Sequence, residues 1–87
     1  MRIIITLKGG DYMYYSYRSP IGIFTVKIHK FRWGLFFNDE LLGVYDTPVG
    51  AADDVYLQVT GYYEWDSLQG ISLDIPTDIY EWEKVTI

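Results

Sequence analysis

Gly22-Ile23-Phe24-Thr25-Val26-Lys27-Ile28-His29-Lys30 alternates along its length: Phe24, Val26 and Ile28 fall on one side, and Thr25, Lys27 and His29 on the other. A period of two over seven or more residues is the signature of a half-buried antiparallel strand. Downstream, residues 31–37 repeat the pattern, with Trp33, Leu35 and Phe37 opposed to Arg32, Gly34 and Phe36. Asn38-Asp39-Glu40 carries turn chemistry, and residues 41–45 return as the partner strand. Upstream, residues 12–17 are aromatic and β-prone, and Ser19-Pro20 ends them.

The period changes after Tyr45. Thr47 is an N-cap candidate and Pro48 suits the first helical position. Gly61 suits a left-handed C-terminal position. Steps of 100° place Val49, Ala52, Val55, Tyr56 and Val59 within an arc of roughly 120° that faces the sheet. Asp53 and Asp54 then face solvent, Asp53 in an early turn where the helix dipole favours a carboxylate. Leu57 lies among these acids, one turn after Asp53. The expected fold is α+β: one domain over residues 1–87, an antiparallel sheet of four to six strands, and one helix over residues 48–60 packed on one face.

The C-terminal third is less regular. Tyr63-Glu64-Trp65-Asp66 and Tyr80-Glu81-Trp82-Glu83 share a Tyr-Glu-Trp-acid pattern seventeen residues apart. Residues 71–75 between them read as a short strand closed by Pro76. Two readings of the pattern stand: each Trp closes an end of the core while its acids stay wet, or both segments form acidic-aromatic edges of one binding surface.

The N-terminus also carries two readings. Residues 2–7 are rich in β-branched side chains, as a strand would be. Lys8-Gly9-Gly10-Asp11 is equally what translation of a purine-rich ribosome-binding site yields, just ahead of Met13. On that reading residues 1–12 are a translated leader or N-terminal extension.

Composition excludes several classes. In a chain of 87 residues, 49% hydrophobic content is too apolar for disorder. With no cysteine there is no disulfide framework, cysteine-ligated zinc, iron–sulfur cluster or thiol nucleophile, a usage that fits the cytoplasm. No apolar run in the sequence is long enough to cross a bilayer as a helix. Charge divides along the chain. Residues 1–33 hold six bases and one acid, a balance of +5; residues 34–87 hold one base and eleven acids, a balance of −10. Basic strands neutralised by acidic segments, or a functional acidic surface, would each account for this division.

Familiar chemistry is missing. His29 is the only histidine, and no serine sits in a nucleophile-elbow context. Adjacent Asp53 and Asp54 diverge by about 100° on a helix and cannot easily share a metal. No phosphate-binding glycine loop or calcium loop occurs. The expectation is no enzyme, no metal and no cofactor.

Trp33-Gly34-Leu35-Phe36-Phe37, Leu42-Gly43-Val44-Tyr45, Thr47-Pro48, Ala51-Ala52-Asp53-Asp54-Val55 and Glu64-Trp65-Asp66 resemble the pattern of a group of short bacterial and mobile-element proteins with no established activity. In size, acidity and lack of catalytic chemistry the chain is similar in type to the small acidic anti-CRISPR inhibitors, many of which cover basic grooves with acidic surfaces. That likeness implies a protein partner with a basic surface. The residues expected to meet it are Asp53, Asp54, Leu57, Tyr63, Glu64, Asp66, Glu81 and Glu83. The competing expectation is nucleic-acid or anion binding on a basic, aromatic sheet face built from Arg18, Lys27, His29 and Arg32.

Overall fold

The computed structural model describes residues 13–86. The strand reading of residues 2–7 and the leader reading of residues 1–12 lie outside the described residues. The elements are β1 (Met13–Arg18), β2 (Ile23–His29), β3 (Arg32–Phe37), β4 (Glu40–Tyr45), α1 (Pro48–Leu57), the one-turn α2 (Tyr63–Asp66), a single 3-10 turn (Ile79–Glu81) and β5 (Glu83–Thr86). The strands form one antiparallel sheet in the order β4-β3-β2-β1-β5. The α+β expectation therefore stands, with one principal helix.

Register decides which side chains share a face. Tyr17 pairs with Phe24 and Phe24 with Phe37; Tyr15 pairs with Val26 and Val26 with Leu35. These rows form the inner face. Phe24, Val26, Leu35 and Phe37 from the sheet, Ala51, Ala52 and Val55 from α1, and Trp65, Ile79 and Trp82 make one buried core. Phe24 contacts the rings of Phe37 and Trp65 edge-on, both at 5.0 Å between centroids. Tyr17 lies between Trp65 and Trp82, at 6.3 and 5.6 Å. The high aromatic content thus goes largely into the core, where each buried ring contributes roughly 4–6 kcal/mol of transfer free energy before entropy.

Helix α1 begins as its sequence signals. The Thr47 Oγ1 accepts from the Gly50 N–H at 3.2 Å, and Pro48 takes the first helical position. Its end differs from the expectation. The helix stops at Leu57 and is capped by Gln58, with φ 59° and ψ 49°; Gly61 also takes a positive φ, 87°, but three residues beyond the cap. Tertiary bonds account for this. Gln58 is buried, its Nε2 donates to the Trp65 carbonyl at 3.1 Å, and its own carbonyl accepts from the Gln69 Nε2 at 2.9 Å. These contacts offset the usual reluctance of a residue bearing a Cβ to adopt φ > 0.

The buried stripe of α1 is also rotated from the expected one. Ala51, Ala52 and Val55 are fully buried, whereas Val49, Tyr56 and Val59 are about 40–53% exposed. Small alanines let the helix backbone settle close over a sheet already filled by aromatic rings. Ala52 and Val55 hold their expected place and Ala51 joins them, whereas Val49, Tyr56 and Val59 turn outward. Asp53 stands at the sixth helical position, past the first turn, where the helix dipole no longer favours a carboxylate.

Residues 71–75 form no strand; they are irregular. The edge beside β1 is occupied by β5, which pairs Ser16 with Glu83 and Tyr14 with Val85. Leu73 and Ile75 instead pack onto the core without joining a ladder. The two Tyr-Glu-Trp segments differ in conformation, the first being α2 and the second a 3-10 turn running into β5. In both, the Trp is buried while the Tyr and the Glu before it are exposed.

Candidate functional site

The eight residues expected at a partner surface separate into three groups. Asp53, Leu57, Tyr63 and Glu64 are exposed, Leu57 at 58% and Tyr63 at 76%. Asp53 and Leu57 lie one turn apart on the outside of α1, and Tyr63 and Glu64 open α2. The Trp65 Nε1–H donates to the Val55 carbonyl at 3.0 Å, and Gln58 bonds the Trp65 carbonyl, so α2 is held against the C-terminal end of α1. The fold thus carries this first group on the helical side.

Three acids of the second group serve the fold. The Asp66 carboxylate accepts from the Thr60 N–H (2.9 Å), the Thr60 hydroxyl (2.8 Å) and the Gly61 N–H (2.7 Å), closing the loop between the helices. Glu81 accepts from the Thr77 N–H and hydroxyl, both at 3.0 Å. Asp54, expected to face solvent, is half-buried and accepts from the Tyr45 hydroxyl at 2.7 Å. Burial, then this bond and the Asp54 charge, push the Tyr45 phenol well above its ordinary pKa. Glu83 forms the third group alone. It is exposed on β5 opposite Ser16, which puts it on the outer face of the sheet, away from the helices.

The outer face holds the competing set. Arg18 sits opposite Ile23, Lys27 opposite Gly34, and His29 opposite Arg32. All four basic residues therefore share this face, but Arg18 lies at the opposite end of β2 from His29 and Arg32. Gly34 is buried under its neighbours: a Cβ there would stand 2.8 Å from the Phe36 ring and 3.0 Å from the His29 Cβ. With that space left open, Lys27 Nζ reaches 4.7 Å from the Phe36 ring centre, and His29 meets the same ring edge-on at 5.7 Å. Arg32 is bound to Asp46 at 2.9 Å, with both side chains largely in water.

That contact is the one side-chain ion pair among the described residues. An exposed pair of this kind contributes at most about 1 kcal/mol. Among the described residues, a basic strand and an acidic segment are bonded at this single point.

Two exposed aromatics were not among the expected site residues. Phe31, placed in a strand by its β-propensity, is 99% exposed in the β2–β3 turn, and Tyr80 is 82% exposed on the 3-10 turn. Two strand patterns abutting with no residues between them were the available signal for Phe31, because an antiparallel hairpin must take its turn from somewhere. Among the described residues, no group of three or more His, Asp or Glu is placed to hold a metal, and no helix is long and apolar enough to cross a membrane. Comparison with protein families, curated proteins and solved structures finds no match to this chain.

Proposed function

We propose that the chain is a small, non-enzymatic protein-binding module that docks through its helical side onto a basic surface of another protein. The observation that carries this reading is the pairing of exposed apolar side chains, Leu57 and Tyr63, with exposed acids, Asp53 and Glu64, on α1 and on the helix packed against its end. Apolar anchors within a charged rim are the anatomy of a protein interface. In its specific form the module is a cytoplasmic inhibitor, of phage or mobile-element type, that covers its target's basic groove as anti-CRISPR proteins do.

The test is affinity capture followed by binding kinetics on the captured protein. Asp53→Lys with Glu64→Lys should slow association steeply and abolish its salt dependence, whereas Leu57→Ala should mainly speed release. Salt-insensitive binding, or an acidic partner, overturns the reading.

A second reading, anion or nucleic-acid binding on the outer face, is favoured by Lys27 and His29 converging on Phe36. Arginine or lysine over an aromatic ring beside an open strand face suits a stacked base and its phosphate. The net charge of −5 opposes it. Titration with a labelled oligothymidylate decides: binding lost in Lys27→Glu would establish this reading in place of the first.

A further inference from the structure

We propose that the β2–β3 hairpin tip is a separate docking element, in which Phe31 anchors the chain in an apolar pocket rimmed by carboxylates on a partner protein. The tip is a two-residue turn. His29 pairs with Arg32, and Lys30 and Phe31 between them have φ of 51° and 69°. Two-residue hairpins with both central residues at positive φ call for Asn-Gly or Asp-Gly, because a Cβ crowds the backbone there. A bulky aromatic in that conformation is an outlier. Within the same sheet, the β3–β4 turn meets its own positive φ, 52°, with Asn38. At positions 30 and 31 the turn is built from residues that oppose it, and Phe31 gains no burial in return, being 99% exposed. Strain of this kind at a projecting side chain marks a position held for contact.

Charge defines the partner. Lys27, Lys30 and Arg32 surround the tip, and Asp46 on Arg32 is the one acid bonded to any of them among the described residues. The tip is the positive end of a chain whose net charge is −5. A nucleic acid or an anionic membrane would set an extended field of negative charge against the acidic remainder of the molecule. A pocket with a few carboxylates meets the tip alone, and beyond about 8 Å the remaining charges are screened. Phe31 supplies the buried aromatic area and the flanking cations supply orientation.

This element is distinct from the helical side. Trp65 of α2 packs on Phe24 near the start of β2, whereas the tip follows His29 at its end. Five strand residues separate them, roughly 17 Å. The chain therefore presents two different chemistries, one at the hairpin tip and one where α2 meets the end of α1.

The experiment places a photoreactive phenylalanine analogue at position 31 of the full chain, and in a parallel chain at position 57, in cells that carry the gene. Position 31 should crosslink a discrete protein at a peptide where apolar residues adjoin Asp or Glu. The purified double variant Lys30→Asn, Phe31→Gly should then bind that protein about thirtyfold more weakly, the loss of one hot-spot residue. Its melting temperature should rise by roughly 5 °C or more, because the turn strain is relieved. Weaker binding by a more stable chain excludes misfolding as the cause. Any of four results overturns the proposal: no crosslink from position 31, a crosslink to a second copy of this chain, a lower melting temperature, or Phe31-dependent binding to oligothymidylate or to phosphatidylglycerol vesicles. Crosslinks from position 57 alone would remove the tip and leave the helical side standing.

Discussion

The Tyr45 hydroxyl donates a 2.7 Å hydrogen bond to the Asp54 carboxylate, and this bond ties the edge strand β4 to α1. Apart from ladder bonds, an edge strand keeps little hold on its sheet, and α1 follows β4 after only two residues. The bond joins α1 to β4 at the residue next to Asp53, beside the core packing of Ala51, Ala52 and Val55.

Removing either partner should therefore cost more than an ordinary surface change. Tyr45→Phe and Asp54→Ala should each lower stability by about 1–2 kcal/mol, and the double variant should cost little more than either one. Asp53→Ala, one residue away and exposed, should stay within about 0.5 kcal/mol of the parent. Urea unfolding midpoints check all four, and an additive double variant would show that the bond does not contribute.

Stability should fall at high pH for an identifiable reason. Burial raises the Tyr17 phenol, with Asp74 adding to the effect, and Tyr45 is raised by burial and by Asp54. A raised folded-state pKa means that the native chain keeps protons which the unfolded chain releases. The contribution is fully present below the ordinary tyrosine value of about 10 and is lost as pH climbs through the folded values. Unfolding midpoints should be flat from pH 8 to about 9.5 and drop above 10. Tyr45→Phe should shallow that drop, and an unchanged slope would exclude Tyr45 as its source.

The two buried tryptophans should respond differently to loss of the indole N–H. The Trp65 Nε1–H bonds the Val55 carbonyl at 3.0 Å, whereas the Trp82 Nε1–H has no hydrogen-bond partner among the described residues. Trp65→Phe forfeits volume and leaves a buried carbonyl short of a donor. Trp82→Phe forfeits volume but also relieves an unsatisfied donor. Trp65→Phe should be the more destabilising by about 1 kcal/mol or more in denaturant titration, and equal losses would contradict the bonding pattern.

Gly22 should not tolerate a side chain. A Cβ at this position would overlap the Phe37 ring and lie 3.1 Å from Asn38 Oδ1, which accepts the Ile23 N–H. Phe37 is locked by Phe24 and Tyr62 and cannot yield. Gly22→Ala should cost roughly 1–3 kcal/mol, as overpacking does. Gly43→Ala, whose Cβ would meet Tyr45 atoms at 3.6 Å and beyond, should be nearly neutral. A thermal melt of each variant decides.

Local sequence was enough to locate the strands β1 to β4, the hairpin that joins β3 to β4, the two faces of β2 and β3, and the start of α1. Each of these rests on interactions between near neighbours. Alternation at period two selects a face, Asn38 selects a turn, and the Thr47 hydroxyl caps a helix three residues away. Local rules suffice when the deciding partner lies within a few residues. Leu57, Tyr63, Asp53 and Glu64 were legible as an exposed group for the same reason.

The remaining features depended on partners distant in sequence. Gln58 ends α1 because Trp65 and Gln69 bond it. Ala51, Ala52 and Val55 face the sheet, where they join the core with Phe24, Phe37 and Trp65. Asp54 and Asp66 are drawn into the fold by Tyr45 and by the Thr60–Gly61 loop, and β5, not residues 71–75, supplies the fifth strand. Phe31 escaped notice because its β-propensity agrees with its neighbours on both sides, and only chain reversal between two paired strands forces it into the turn. Propensity measures what a residue prefers alone; the sheet imposes on Lys30 and Phe31 a backbone that neither prefers.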